Sequence, residues 1–511
     1  MRRQMAASCF GLALWVLPAG GTSAAPATVT GVFSDPHFEA WHRALQEEAS
    51  QVRAVRQNPD GFEFCGSHDE LREIAFRKHR LRMRLLESLA SRGIEPSPPP
   101  AGVAPWPWGP GAGTQPHPAD YDSAGTAVIV NDGRIVSLNL RGALEVDPFL
   151  ASQAFYVTHD DEYDFLILFT NFASDLFNGQ FLAYHLAVAN DIEGLGYRHV
   201  LGTDHFDTGP MFTNNSEPGA LQSFIHLNAL HLYPDDAGET FWRTYTTPAF
   251  MAHEVGHRWS ARLRLCPQLG HPDVLLGRGS VHWSFFFNSG ASVMEGNEWL
   301  PAGPAWSTER ATIGYGPLDL YLMGMIAHTE IPAGSLWFLA NVDSCSPPTD
   351  LRGNPISSTS PPTIGVQCDG DRIDFTAQDC IFLANGVRRP LYPETQKEFR
   401  VATALVTLES TPAQPAELQK LERMRQDLAA HFHAQTLQRG RLDFVVRSVP
   451  AHILFVHIRQ GDVEDPALPT TIRTNIELVQ RSFPTRLEDI EVSLHYSIAG
   501  PFTEVPMQRH A

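Results

Sequence analysis

The chain has 511 residues, 43% of them hydrophobic and 19% charged, with a formal net charge of −19. That composition excludes bulk disorder, and the length exceeds what one hydrophobic core usually organises. An acidic chain also excludes nucleic acid and anionic lipid as expected main partners, because both would be repelled.

Residues 1–24 read as an export signal. Arg2 and Arg3 precede a mostly apolar run from Ala6 to Ala19, and Ser23-Ala24-Ala25 offers small residues for cleavage. The run is too short for a permanent anchor, and no later segment is long and apolar enough to span a bilayer. Cys9 lies inside the run rather than at its end, which disfavours a lipid-anchored cysteine. The expectation is a secreted or periplasmic protein with no integral membrane segment after cleavage. Outside the signal stand Cys65, Cys266, Cys345, Cys368 and Cys380. In an oxidising compartment they allow up to two disulfides and one odd thiol, with at least one bridge among Cys345, Cys368 and Cys380. Cys65 as the odd thiol could ligate a metal from a propeptide; a disulfide partner or inert thiol is the ordinary alternative.

Residues 25–95 form a helical N-terminal region and a candidate propeptide. Ile74, Phe76, Leu81, Met83, Leu85, Leu86 and Leu89 recur at helical spacing with basic residues between them. Residues 96–118 are proline-rich, contain Trp106 and Trp108, and read as an extended, semi-rigid linker. From 119 to 440 strands come first. Residues 126–130 and 135–140 flank Asn131-Asp132-Gly133-Arg134 and predict a hairpin. The continuous apolar run 165–170 predicts a buried central strand. A further strand is predicted at 222–227, with an exposed edge to which an extended peptide could add.

A helix then begins at Thr247, a capping residue, with Pro248 at its first position, and is expected to run to about Arg264. Helical stretches are also predicted at 398–408 and 416–435, and residues 441–511 read as β-rich. The resulting class is α+β, with a twisted mixed sheet and a helix bearing the site.

That helix carries His253-Glu254-Val255-Gly256-His257, the pattern H-E-x-x-H. Histidines four apart lie on one helical face and can grip one metal ion, while the adjacent glutamate can reach a water on it. On these residues the chain resembles the zincin metallopeptidases. The resemblance implies a zincin-like catalytic domain at 119–440, His253 and His257 as Zn2+ ligands, Glu254 as general base, and a protein or peptide substrate.

Zinc in such a site needs a third protein ligand. The metzincin pattern would place glycine and histidine where this chain has Ser260 and Leu263, so the ligand must lie further on. Asp319 leads: it sits in a helix begun by Pro317, apolar on nearly every side, where a carboxylate is costly without a cation or several donors. The segment is loosely similar to the aspzincin motif, in which a glycine precedes and a tyrosine follows the ligand. The competing account is an aspartate favoured by the macrodipole of the first turn.

His282 is the second candidate. Ser292-Val293-Met294 after it resembles the turn that lies beneath zinc in metzincins. With Asp319 as ligand, His282 or Tyr321 would instead donate to the oxyanion of the reaction. Glu295 and Glu298 are the gluzincin-like option, on a stretch weakened as a helix by Gly296 and Pro301. Two rival functions stand beside the peptidase: a non-catalytic secreted binding or adhesion module of the same fold, and a zinc hydrolase of non-peptide substrates. The carboxylates at 369–374 and the polar run 159–162 read as solvated turns rather than second metal sites.

Overall fold

A computed structural model describes residues 27–57, 68–110, 120–121, 125–177, 181–214 and 219–444, with short strands at 455–459, 473–477, 493–496 and 503–506. The expected signal segment and Cys65 lie outside the described residues, as does most of the C-terminal region. Among the described residues no helix is long and apolar enough to cross a membrane.

The structure is mixed α+β. Six helices matter for the site: α1 (Pro36–Gln57), α2 (His68–Ser91), α3 (Pro148–Tyr156), α4 (Thr247–Gly256), α5 (Pro317–Leu322) and α6 (Pro415–Gln435). The strands of the two larger sheets are, in chain order, β1 (Asp120–Tyr121), β2 (Ala127–Val130), β3 (Phe165–Thr170), β4 (Tyr184–Ala187), β5 (Ser223–Ala229), β6 (Asn297–Ala302), β7 (Ala305–Ala311), β8 (Trp337–Ser346), β9 (Gln367–Asp374), β10 (Glu398–Thr407) and β11 (Arg441–Asp443).

The main sheet runs β1-β2-β10-β3-β5-β4, with β11 beside β10. Its centre is parallel, from β2 through β10 and β3 to β5, and β4 closes the edge antiparallel to β5. Alternate residues feed two cores. Phe165, Ile167, Phe169, Ile225, Leu227, Val401 and Leu405 join α4 and α6 on one face; Leu166, Leu168, Phe224, Ala402, Ala404 and Val406 join α3 on the other. Burial on both faces is why β3 reads as an unbroken apolar run. A smaller antiparallel sheet, β6-β7-β9-β8, packs its own cluster around Trp299, Trp337 and Phe285.

Three predicted elements differ. The stretch 398–408 is the strand β10, not a helix. Its β-branched Val401, Thr403, Val406 and Thr407 sit at the sheet centre, paired to both β2 and β3. The predicted hairpin at 126–140 does not form. Asn131 Oδ1 accepts from Gly133 N and Val136 N and turns the chain away, so that 136–138 pairs with 144–146 instead. Finally, β5 is paired on both sides, so the expected edge at 222–227 is internal and cannot take an added strand.

The proline-rich segment is not a free spacer over its described part. Trp106 and Trp108 are buried with Trp41, Leu45, Leu85 and Leu89 of the N-terminal helices, and Trp106 exchanges backbone hydrogen bonds with Leu138. Polar ties reinforce this. Lys78 on α2 pairs with Glu48 at 2.7 Å and with Glu145, and His79 and Arg82 reach Asp147 at 2.9 and 3.2 Å. Asp147 also caps α3 by accepting from Phe149 N and Leu150 N. Burial alone would raise the Asp147 carboxyl, but His79, Arg82 and the cap hold it well below the usual range.

A folded-state carboxyl so depressed stabilises above its ordinary titration near pH 4, and the contribution fades as pH falls further. Asp147→Ala is expected to cost about 3–5 kcal/mol, because it strands the buried Arg82 guanidinium, the His79 ring nitrogen and two helix N–H groups. A urea midpoint at pH 7 measures this. The gap between wild type and variant should shrink as pH drops below about 4.

Among the described residues two disulfides join Cys266 to Cys380 and Cys345 to Cys368. The second lies within the expected cysteine cluster, and both suit an oxidising compartment. The first ties the loop after α4 to the segment before β10.

Candidate metal centre

The start of α4 lies one residue before the predicted cap: Thr246, not Thr247, is the extended N-cap, its side chain makes no capping hydrogen bond, and Pro248 still falls in the first turn. The helix is buried along its whole length. It ends at Gly256, earlier than the predicted Arg264. Arg258 is drawn off to Gln222 Oε1 at 2.9 Å and Asn190 Oδ1 at 2.7 Å, anchoring the chain under the sheet. His257 is the C-cap but keeps a right-handed helical conformation, so the four-residue spacing is intact.

His253, His257 and His282 converge. One nitrogen of each lies within 4.8 Å of the others, and His253 Nε2 is 3.1 Å from His257 Nε2. Ring centroids stand 4.6–5.1 Å apart. All three are buried, at 4%, 2% and 1% exposure. Tetrahedral zinc with nitrogen ligands needs nitrogens about 3.3 Å apart, so this donor set fits the ion with small adjustments.

The outward nitrogens are oriented for the task. His253 Nδ1 lies 2.6 Å from Val293 O, and His282 Nδ1 lies 2.6 Å from Arg278 O. Each Nδ1 donates its proton to that carbonyl, which leaves the lone pair on Nε2; that of His253 lies toward His257, and that of His282 also meets Arg278 Nη2 at 3.3 Å. Burial depresses the basicity of both rings, pulling His253 down to about 4 and His282 well below its ordinary value. Both are therefore neutral near pH 7, the form that ligates metal.

His282 comes from an irregular loop and takes the third place that Asp319 was expected to fill. Asp319 is buried on α5, but its oxygens are already occupied: Oδ1 accepts from Trp283 Nε1 at 2.9 Å, and Oδ2 from Ser292 Oγ at 2.5 Å and Gly316 N at 2.9 Å. Neutral donors, not a cation, compensate this carboxylate. Burial nevertheless raises its pKa.

Its role is visible one step out. Ser292 Oγ accepts from Met294 N, shaping the turn whose Val293 carbonyl holds His253, and Trp283 is the residue after His282. Asp319 thus braces two of the three histidines without touching them. Met294 lies against α4: a Cβ added at Gly256 would come within 2.5 Å of Met294 Sδ. The turn at 292–294 therefore packs directly on the helix of the histidine pair.

The other expected donors lie elsewhere. Tyr321 OH accepts from Arg388 N at 3.0 Å. Glu298 pairs with Arg310 on β7. Glu295 is buried near the histidines but bonded to Arg278, with Nη2–Oε1 at 2.6 Å, and to Arg243 at 3.2 Å. Burial would raise its carboxyl, yet these guanidiniums hold it well below the usual range. The carboxylates at 369–374 lie along β9, where Asp369, Asp371 and Asp374 bond separately to Ser344, Asn341 and Arg372.

Sequence reasoning missed Tyr245. Its hydroxyl donates to Val293 O at 2.5 Å, accepts from Glu295 N at 3.2 Å and lies 3.2 Å from His253 Nδ1. Its position two residues before the helix start was the available signal.

Glu254 is buried at 4% exposure, and its Oε2 has no hydrogen-bond partner among the described residues. Burial pushes its pKa up to about 8. Arg278 offsets only part of that cost, and Glu254 directly follows His253 on the helix. No protein-family model, curated protein or solved structure matches this chain. Its function must therefore be argued from this centre alone.

Proposed function

We propose that this chain is an exported zinc-dependent metallopeptidase with a zincin-like catalytic domain. The observation that carries the reading is the convergence of three buried histidine nitrogens within 4.8 Å, on a helix that also carries Glu254, whose Oε2 has no hydrogen-bond partner among the described residues. His253, His257 and His282 would hold Zn2+. When bound, the ion supplies Lewis acidity toward water and the scissile carbonyl.

Glu254 accepts the proton of the attacking water and then delivers it to the leaving amine. Tyr245 and Asp319 keep the geometry: the first holds the carbonyl to which His253 donates, the second the turn that presents that carbonyl. The dry surroundings strengthen each of these interactions. The two disulfides fit the extracellular or periplasmic setting expected of residues 1–24.

The reading is tested by metal analysis and casein hydrolysis on purified protein. About one zinc per chain is expected, with hydrolysis abolished by a chelator and restored by zinc. Protein without stoichiometric zinc after incubation in the metal would overturn it.

A further inference from the structure

The helix that carries the histidine pair stops at the second of them, and a helix end is where backbone order is weakest. His257 is the C-cap of α4, at φ −59° and ψ −16°. Arg258 N still bonds to Val255 O at 3.1 Å, and Trp259 N and Ser260 N to Gly256 O at 3.0 Å. The carbonyls of His257, Arg258 and Ser260 fall beyond this ladder and need other donors.

Side chains supply them. Arg262 Nη1 donates to His257 O at 2.8 Å and to Ser260 O at 3.0 Å, and Tyr197 OH donates to Arg258 O at 3.4 Å. The two side chains also meet each other: the Arg262 guanidinium carbon stands 4.5 Å from the centroid of the Tyr197 ring. Both residues are buried. Burying a guanidinium is costly, and Arg262 Nε finds no hydrogen-bond partner among the described residues. An apolar side chain would fill the space without that cost, so packing does not account for the arginine. The guanidinium gives two bonds to carbonyls at the negative end of a helix dipole and keeps a flat face for the aromatic ring.

The chain approaches this arginine closely. Gly196 has φ +90°, and a Cβ there would come within 2.2 Å of Arg262 O. Glycine thus lets the segment 190–197 lie flush against the residues after the helix. At the other end of that segment, Asn190 Oδ1 accepts from Arg258 Nη1 at 2.7 Å.

We propose that Arg262, seated on Tyr197, is a positioning residue for the candidate ligand His257. It acts on the main chain of that residue, keeping it helical where the helix has stopped, so that His257 Nε2 stays 3.1 Å from His253 Nε2. The carbonyls of Val293 and Arg278 orient His253 and His282. Arg262 does the corresponding task for His257 through its backbone. The inference rests on the metallopeptidase reading for the metal, not for the anchoring of the helix end.

The test compares the full-length wild type with Arg262→Met, Arg262→Lys and Tyr197→Leu. Deuterium uptake across residues 253–261, read by mass spectrometry, should become at least about 10-fold faster in Arg262→Met. Zinc affinity, from competition with a chelator, should fall by roughly 10–100-fold, the range for a group that braces a ligand. The visible absorption of cobalt-loaded protein should shift, because it follows ligand geometry. Arg262→Lys can still donate to the carbonyls and should recover part of all three, and Tyr197→Leu should show the same changes in smaller measure. Asp147→Ala, destabilised at the cap of α3 on the other face of the sheet, should keep the wild-type zinc affinity and cobalt spectrum. If Arg262→Met does not fold, the lysine and Tyr197 variants decide the matter. Wild-type zinc affinity in folded Arg262→Met would overturn the assignment, as would an equal loss in Asp147→Ala or a lysine variant no better than methionine. Wild-type protein that takes up no zinc would instead sink the peptidase reading, and the exchange comparison would then decide whether Arg262 holds the helix end.

Discussion

His282→Ala is expected to weaken zinc binding by about 10²-fold or more, while Asp319→Ala leaves the zinc stoichiometry intact at saturating metal. Binding free energies of protein zinc sites are on the order of 10 kcal/mol or more, so losing one of three protein ligands removes about 3 kcal/mol at the least. His282 supplies one of the three converging nitrogens, and nothing else among the described residues joins that cluster. Asp319 supplies none. Its removal instead strands the Trp283 Nε1, Ser292 Oγ and Gly316 N donors in a dry interior, at about 2–4 kcal/mol of folding stability. Some loss of metal affinity follows, within the roughly 10–100-fold seen when a group bracing a ligand is removed. Zinc titration with a competing chelator, paired with denaturant unfolding of each variant, separates the two residues. Asp319→Ala losing zinc as completely as His282→Ala would return Asp319 to the ligand set.

The contrast between these residues shows what was legible in the sequence. The helix start, its proline and the four-residue histidine spacing are local features, set by neighbours within one or two turns, and they appear within a residue of where local signals put them. The third nitrogen is not local. His282 is delivered by a loop whose path depends on pairing between Leu276 and Trp283 and on the packing of Met294 against Gly256. For Asp319 the cost of burying a carboxylate in an apolar helix could be read, but not which donors meet it. A cation was expected, and a tryptophan, a serine and a backbone amide do the task. The same limit explains β10. A ten-residue, largely apolar stretch satisfies either period, and its fate is decided by β2 and β3, more than two hundred residues away in the chain. It likewise hid the pairing of β4 that covers the expected edge at β5. The mixed α+β class survived because it depends on how many elements of each kind exist, not on which edges meet.

Glu254→Gln is expected to lower kcat for peptide hydrolysis by about 10³-fold while leaving zinc content unchanged and KM within a few-fold of wild type. The substitution keeps the side chain's volume, so α4 and its packing on Met294 are undisturbed. It removes only the ability to exchange a proton. The orientation of two of the histidines should survive, because His253 still donates to Val293 and His282 to the Arg278 carbonyl. Stability should hold or rise slightly, since a buried carboxyl lacking an ion-pair partner gives way to a neutral amide. That combination, intact metal and fold with lost turnover, is what distinguishes a base from a structural carboxylate such as Asp319. The measurement is steady-state hydrolysis of a quenched peptide alongside zinc analysis and thermal unfolding of the same preparation. If the variant turned over at the wild-type rate, Glu254 would not be the base. If it lost zinc along with activity, its role would be to organise the metal centre.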